Sequence, residues 1–417
     1  MSGAGWKRLR YLPHLLNAAA AAALLALFAL TLRAYSLPRP VLAVKAGVLG
    51  LLAAALLAAV LLGGERLNAA AALIAMGLLA FGQWRYQPRY LADYPAGATR
   101  YPAPYVMFAG LPGEQDHNEL GYRGELPPPR KEPGEFRVLV IGGSAVYGKG
   151  PRHLTIPRQL WALARLSGRR QVRVFNWGVV SQVSGQELAT LALRAGRYAP
   201  DLVVLYSGGN DVYASYTADP RPGYPFNFVV QQRAVDVFQE GDVPALLAGA
   251  LLQVNLARRF SGVELQDAVA RLPALRRQVG YLTPRWEEEV AQAYLDHVET
   301  ACRVGGGLGF RVAAVLQPLV YQTPQADAYR GMPPEFRQYA ERQYDRMRRG
   351  LAELAARQPA DRCLFADLSQ ACAQGQCTFQ DFIHPTPETR APIAEALLHR
   401  LEGAGLLPPP TEKPAGP

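Results

Sequence analysis

The sequence predicts an α/β domain built on a parallel sheet and preceded by about three transmembrane helices. Three long uncharged runs near the N-terminus each approach the ~20 residues that cross a membrane as a helix. After Pro133, short apolar runs alternate with segments of helical spacing. That alternation is typical of parallel strands joined by helices.

The composition excludes several classes of protein. The 417 residues are 50% hydrophobic and 19% charged, and 44 Lys+Arg against 34 Asp+Glu give a net charge of +10. The high apolar fraction excludes disorder throughout the chain. An excess of basic residues can indicate nucleic-acid binding, but the sequence has no dense basic cluster interleaved with aromatic residues. We therefore expect no nucleic-acid partner.

The predicted transmembrane helices cover about 15–32, 46–64 and 67–84. A cleaved signal peptide is the alternative for the first run, but its length and the two runs behind it favour a retained anchor in the lipid bilayer. Three spans with a cytoplasmic N-terminus place the remaining domain outside the inner membrane, in the periplasm. All four cysteines lie in that domain, where Cys372 and Cys377 are spaced for a short disulfide loop and free thiols are the alternative.

The rest of the chain divides by composition and periodicity. The predicted parts are an anchor (1–86), a Pro- and Tyr-rich connector (87–134), an α/β domain (135–403) with an insertion at about 213–290, and a flexible tail (404–417). The predicted strands are 137–141, 172–175, 202–206, 310–316 and 363–366, with helices at 156–166 and 186–195. Within the insertion, the uncharged stretch 243–257 is predicted as a core helix or, alternatively, a lid. Ligands of such sheets bind beyond the carboxyl ends of the strands.

Small and polar residues follow the predicted strands. These residues are Gly142-Gly143-Ser144, Asn176 to Ser181, Gly208-Gly209-Asn210-Asp211 and, near the C-terminus, Asp381-x-x-His384. A serine, an asparagine and a histidine with a nearby carboxylate are the nucleophile, oxyanion donor and oriented base of acyl transfer. Each block alone is also typical of a helix cap or a turn. A phosphate-binding loop is disfavoured, because Gly150 replaces the Ser/Thr that would follow Lys149.

Together the blocks resemble the SGNH (GDSL-type) hydrolase superfamily over about Arg137 to Leu401. The resemblance implies a three-layer, flavodoxin-like domain. It implies catalytic Ser144, His384 and Asp381, an oxyanion hole from Ser144, Ser181 and Asn210, and supporting Gly143, Gly178 and Gly209. Gly143 stands where the family has Asp, and Ser181 where it has Gly. The stretch Asn118 to Gly124 resembles a lead-in found in bacterial members.

The resemblance implies a membrane-anchored serine esterase that works through an acyl-enzyme, without metal or organic cofactor. We expect it to remove O-acyl, above all acetyl, groups from cell-envelope or exported polysaccharide. An O-acetyltransferase with the same triad is one alternative, and a lipid esterase with 243–257 as its lid is another. A non-catalytic glycan-binding or scaffold module in an envelope protein complex is the third, which the departures at Gly143 and Ser181 would favour.

Overall fold

The computed structural model describes residues 11–32, 39–85, 101–113, 116–226, 228–229, 232 and 272–411. The chain forms two compact units, Met1–Tyr90 with Val229–Pro273 and Leu91–Phe228 with Ala274–Pro417. The stretch 243–257 lies outside the described residues, so its role as core helix or lid stays a prediction.

The first unit contains three helices, α1 (Leu12–Leu32), α2 (Arg39–Leu62) and α3 (Glu65–Arg85). Alanine and leucine, both strong helix formers, dominate their sequences. Asn17 of α1 donates its side-chain amide to the Asn68 side-chain oxygen of α3 at 3.0 Å, and both side chains are fully buried. This bond gives a partner to two buried polar atoms, Asn17 Nδ2 and Asn68 Oδ1, that would otherwise destabilise the packing.

The prediction of transmembrane helices is wrong. Within the described ranges, no helix is both long enough and apolar enough to span a bilayer. The three uncharged runs do form helices close to the predicted bounds. However, the runs are not purely apolar, since α1 carries Asn17 and α3 carries Asn68.

The second unit is built on a five-stranded parallel sheet, as the sequence predicts. A short antiparallel hairpin of β1 (Tyr101–Ala103) and β2 (Met107–Ala109) comes first. The sheet strands are β3 (Phe136–Gly142), β4 (Val172–Gly178), β5 (Leu202–Ser207), β6 (Arg311–Leu316) and β7 (Cys363–Asp367), in the order β4-β3-β5-β6-β7. Every residue of β5 is buried, because helices cover both faces of such a sheet.

Eight helices of the described chain connect or follow these strands. They are α4 (Ser144–Tyr147), α5 (Ile156–Leu166), α6 (Ser184–Arg194), α7 (Gly209–Thr217), α8 (Leu272–Gln278), α9 (Pro284–Gly307), α10 (Pro334–Arg357) and α11 (Ala391–Gly403). Helix α5 packs with α11, while α9 packs with both α6 and α10. Right-handed crossovers in this strand order place the two groups on opposite faces, which gives three layers.

Two disulfides join the cysteines of the second unit. Cys302 of α9 pairs with Cys363 of β7, and Cys372 pairs with Cys377 in the predicted short loop. The alternative of free thiols is therefore wrong. The first bridge ties a covering helix to an edge strand of the sheet, and the second closes a loop shortly before the Asp381–His384 segment.

Candidate active site

The predicted nucleophile lies at the carboxyl end of strand β3. Ser144 is the first residue of α4, and only 6% of its surface is exposed. Two glycines let this short helix sit directly on the sheet edge. A Cβ atom on Gly178 would lie 2.2 Å from Tyr147 N, and one on Gly142 would lie 2.4 Å from Val146 Cγ2. Any larger residue at either position would push the nucleophile turn away.

A chain of hydrogen bonds links the three predicted catalytic side chains. His384 Nε2 lies 2.6 Å from Ser144 Oγ, and His384 Nδ1 lies 2.5 Å from Asp381 Oδ2. The other carboxylate oxygen of Asp381 accepts the backbone N–H groups of Ile383 and His384, at 2.9 and 2.8 Å. These distances are within the reach required for proton transfer from a serine to an oriented imidazole.

Asp381 is held as a carboxylate by its neighbours. Burial raises the pKa of Asp381, but the hydrogen bonds and charge of His384 and the N–H of Ile383 outweigh it, so the pKa lies below its usual value. An ionised Asp381 accepts the Nδ1 proton of His384, which leaves Nε2 able to take the proton of Ser144. Asp381, three residues before His384, therefore fixes the tautomer that His384 needs to act as a general base.

The predicted oxyanion donor Asn210 lies beside the nucleophile. It stands in the first turn of α7, after β5, and its side-chain amide donates to Gln182 O at 2.7 Å. A Cβ atom on Gly143 would lie 2.2 Å from that amide nitrogen. Gly143 therefore has no room for a side chain, which is consistent with a glycine, and not an aspartate, at this position. A supporting role also falls to Gly209, whose Cβ atom would meet Ile383 Cδ1 at 2.5 Å.

Ser181 has the backbone conformation of a glycine. Its φ of 65° is in the left-handed region, which costs a residue with a Cβ atom about 1–2 kcal/mol. The residue stands one position before Gln182, whose carbonyl holds Asn210. The loop that follows β4 thus has a backbone conformation that favours glycine, although a serine occupies the position.

We expect Ser181→Gly to raise the free energy of unfolding by about 1 kcal/mol, because glycine adopts left-handed backbone without strain. Urea denaturation of the two proteins measures the difference. Ala199→Gly is the matched control, since Ala199 also has a positive φ of 45° but lies at the end of a 3-10 turn before β5. A gain at Ala199 with none at Ser181 would contradict the idea that Ser181 is strained.

A buried polar cluster near the site was not predicted from the sequence. Ser184 donates its Oγ proton to Asp211 Oδ1 at 2.5 Å, its N–H reaches the same carboxylate, and His297 Nδ1 lies 2.8 Å from Ser184 Oγ. Burial raises the pKa of Asp211, partly offset by the hydrogen bonds from Ser184 and the charge of His297. These bonds tie the start of α6 to the start of α7. They thereby fix the positions of Ser181, just before α6, and Asn210, in α7, relative to each other.

The predicted lead-in stretch Asn118 to Gly124 contacts the far end of the nucleophile helix. Tyr122 stacks on Trp177 at 4.6 Å between ring centroids. Arg123 Nη1 donates to Tyr147 O at 3.1 Å, and His117 Nε2 lies 2.9 Å from the Tyr147 hydroxyl. The segment before the sheet therefore supports α4 from outside the α/β core. Asn176, near the end of β4, also donates to Val146 O at 2.9 Å.

No family model matches the chain, and no curated protein matches its sequence. Similar solved structures include a catalytic mutant of an acetylxylan esterase from Geobacillus stearothermophilus, at 12% identity over 64% of this chain and 94% of that one, with a TM-score of 0.37. An α/β hydrolase from the metagenome of Lake Arreo is 15% identical over 66% and 96%, with a TM-score of 0.36. A GDSL-like lipase from Bacteroides thetaiotaomicron is 12% identical over 64% and 88%, with a TM-score of 0.34.

Because these likenesses are distant, the nature of the site follows from the chain's own geometry. The serine, the asparagine and the Asp-x-x-His pair meet at the carboxyl edge of one parallel sheet. They form the Ser–His–Asp arrangement that nucleophilic acyl transfer requires. Within the described ranges, no group of three or more His, Cys, Asp or Glu side chains could hold a metal ion.

Proposed function

We propose that this chain is a serine ester hydrolase that removes O-acyl, above all acetyl, groups from polysaccharide. The hydrogen-bonded series Ser144–His384–Asp381 carries this proposal. Asn210, lying against Gly143 beside the nucleophile, supports it further. The two departures from the family pattern do not argue for a non-catalytic module, because Gly143 makes room for Asn210 and Ser181 keeps a glycine's backbone conformation.

In the proposed mechanism, His384 takes the proton of Ser144 as Oγ attacks the ester carbonyl. Asp381 keeps the imidazole oriented and stabilises its positive charge. The oxyanion accepts hydrogen bonds from the backbone N–H groups of Ser144 and Ser181 and from the Asn210 amide. His384 then gives its proton to the ester oxygen of the sugar as the acyl C–O bond breaks, so that the sugar leaves as an alcohol. Water, deprotonated by the same histidine, hydrolyses the acyl-enzyme and restores Ser144.

The choice of polysaccharide as the substrate depends on the expected location of the domain. Both disulfides of the described chain lie in the second unit, and disulfides persist in oxidising compartments outside the cytoplasm. Acylated glycans of the cell envelope, or exported ones, are the esters within reach there. The location at the outer side of the inner membrane stays a prediction.

The function is tested by incubating the full-length protein with acetylated xylooligosaccharide and with a long-chain acyl ester. We expect acetate release from the sugar, little release of fatty acid, and labelling of Ser144 by a fluorophosphonate probe. Acetyl groups that reappear on an added oligosaccharide instead of as free acetate would indicate a transferase. Absence of both labelling and acyl release would exclude an enzyme of this type.

A further inference from the structure

The loop that follows the nucleophile helix is held through its backbone carbonyls. Gly148 and Gly150 have φ values of 69° and 96°, so this loop adopts a path that residues with side chains disfavour. Arg390 Nη1 donates to Lys149 O at 2.8 Å, only five residues after Ser144. The path of the loop, and with it the end of α4, therefore depends on a side chain from a distant part of the sequence.

The same guanidinium reaches the loop that carries the catalytic base. Arg390 Nε donates to Pro385 O at 3.3 Å, and Pro385 directly follows His384. The two loops also touch, since a Cβ atom on Gly150 would lie 2.9 Å from Pro387 Cγ. One planar group thus bridges the loop of the nucleophile and the loop of the base.

Arg390 is 2% exposed, which makes this bridge stiff. A guanidinium shielded from water relies on protein acceptors for its N–H groups, and hydrogen bonds to a charged donor are stronger than neutral ones. The rigid fork of arginine fixes the direction of each bond, whereas a lysine ammonium is a point charge on a flexible stem. Few other side chains could hold two carbonyls from different loops at once.

We propose that Arg390 is a positioning residue that sets the separation of Ser144 and His384. It touches no substrate and acts through the carbonyls of Lys149 and Pro385. The proposal rests on the proposed function, because the separation matters for a proton transfer between those two side chains. A displacement of about 1 Å at such a pair can lower the rate by about 10²-fold.

The test compares Arg390→Met and Arg390→Lys with the unchanged full-length protein on p-nitrophenyl acetate. We expect kcat to fall by about 10²-fold for methionine and by less for lysine, with KM within about twofold in both. Arg169→Met is the matched control. Arg169 is also mostly buried, pairs with Glu402 at 2.7 Å and donates to Pro408 O, at the opposite end of α11. Its loss should lower stability while leaving kcat unchanged.

Guanidinium rescue separates positioning from a general loss of folding. Arg390→Ala leaves space for a free guanidinium ion, so millimolar guanidinium chloride should restore kcat several-fold, while sodium chloride at equal concentration should not. A kcat for Arg390→Met within threefold of the unchanged protein would overturn the proposal. So would a loss of kcat that merely matches the unfolded fraction measured by circular dichroism.

A crystal structure of Arg390→Lys gives a readout that does not need turnover. We expect the Ser144 Oγ to His384 Nε2 distance to exceed hydrogen-bond reach, from 2.6 Å in the unchanged chain. If the unchanged protein hydrolyses no ester, the proposed function fails, yet a lengthened distance would still support the role of Arg390. An unchanged distance together with unchanged kcat would refute that role alone.

Discussion

Replacing Ser144 with alanine is expected to lower kcat for an acetyl ester by about 10⁴-fold or more. In the proposed mechanism the hydroxyl oxygen attacks the carbonyl, and the 2.6 Å hydrogen bond to His384 activates it. The alanine variant keeps the oxyanion donors, so a slow reaction with water should remain. Hydrolysis of p-nitrophenyl acetate by the purified full-length protein measures the change.

Two control variants make this result specific to the nucleophile. Ser167→Ala removes a hydroxyl that donates only to Ala164 O at the end of α5 and to no part of the site in the described structure, so its kcat should be unchanged. Asp381→Asn should cost about as much as Ser144→Ala, because an asparagine amide would hold the imidazole in the wrong tautomer. Full activity in the Ser144→Ala protein would show that another group is the nucleophile.

The strands of the sheet could be predicted from sequence because buried parallel strands are continuous apolar runs. Leu202 to Tyr206 and Arg137 to Ile141 are such runs, and the structure extends each by only one or two residues. The meeting of Ser144 and Asn210 could also be expected, because the carboxyl ends of parallel strands share one edge of the sheet.

The parts that could not be predicted depend on long-range contacts or on backbone angles. Nothing in the local sequence around Arg390 indicates that it would reach the loop after Ser144, 241 residues from Lys149. The left-handed φ of Ser181 could not be predicted from the sequence either, since a serine ordinarily indicates a cap or a turn. The transmembrane prediction relied on the absence of charge and gave no weight to polar residues such as Asn17 and Asn68. The Asp211–Ser184–His297 cluster joins three helices and has no local pattern.

Replacing Asn210 with alanine is expected to lower kcat by about 10²–10³-fold with little change in KM. In the proposed mechanism the Asn210 amide donates to the oxyanion, and loss of one oxyanion donor has this typical cost. Because that charge exists mainly in the transition state, binding of the neutral ester should be nearly unaffected. Steady-state kinetics on p-nitrophenyl acetate separate the two parameters.

Gly143→Ala tests whether the same amide is responsible. Its new Cβ atom would lie 2.2 Å from Asn210 Nδ2, so the side chain must move away from Gln182 O and from the nucleophile. We expect a loss of kcat approaching that of Asn210→Ala. In the double variant the losses should not multiply, since both act through one group. Multiplicative losses would show that Gly143 matters for another reason, namely the backbone of the nucleophile turn itself. A Gly143→Ala protein with full kcat would mean that the turn yields without moving Asn210, and the departure from the family's Asp would then need a different explanation.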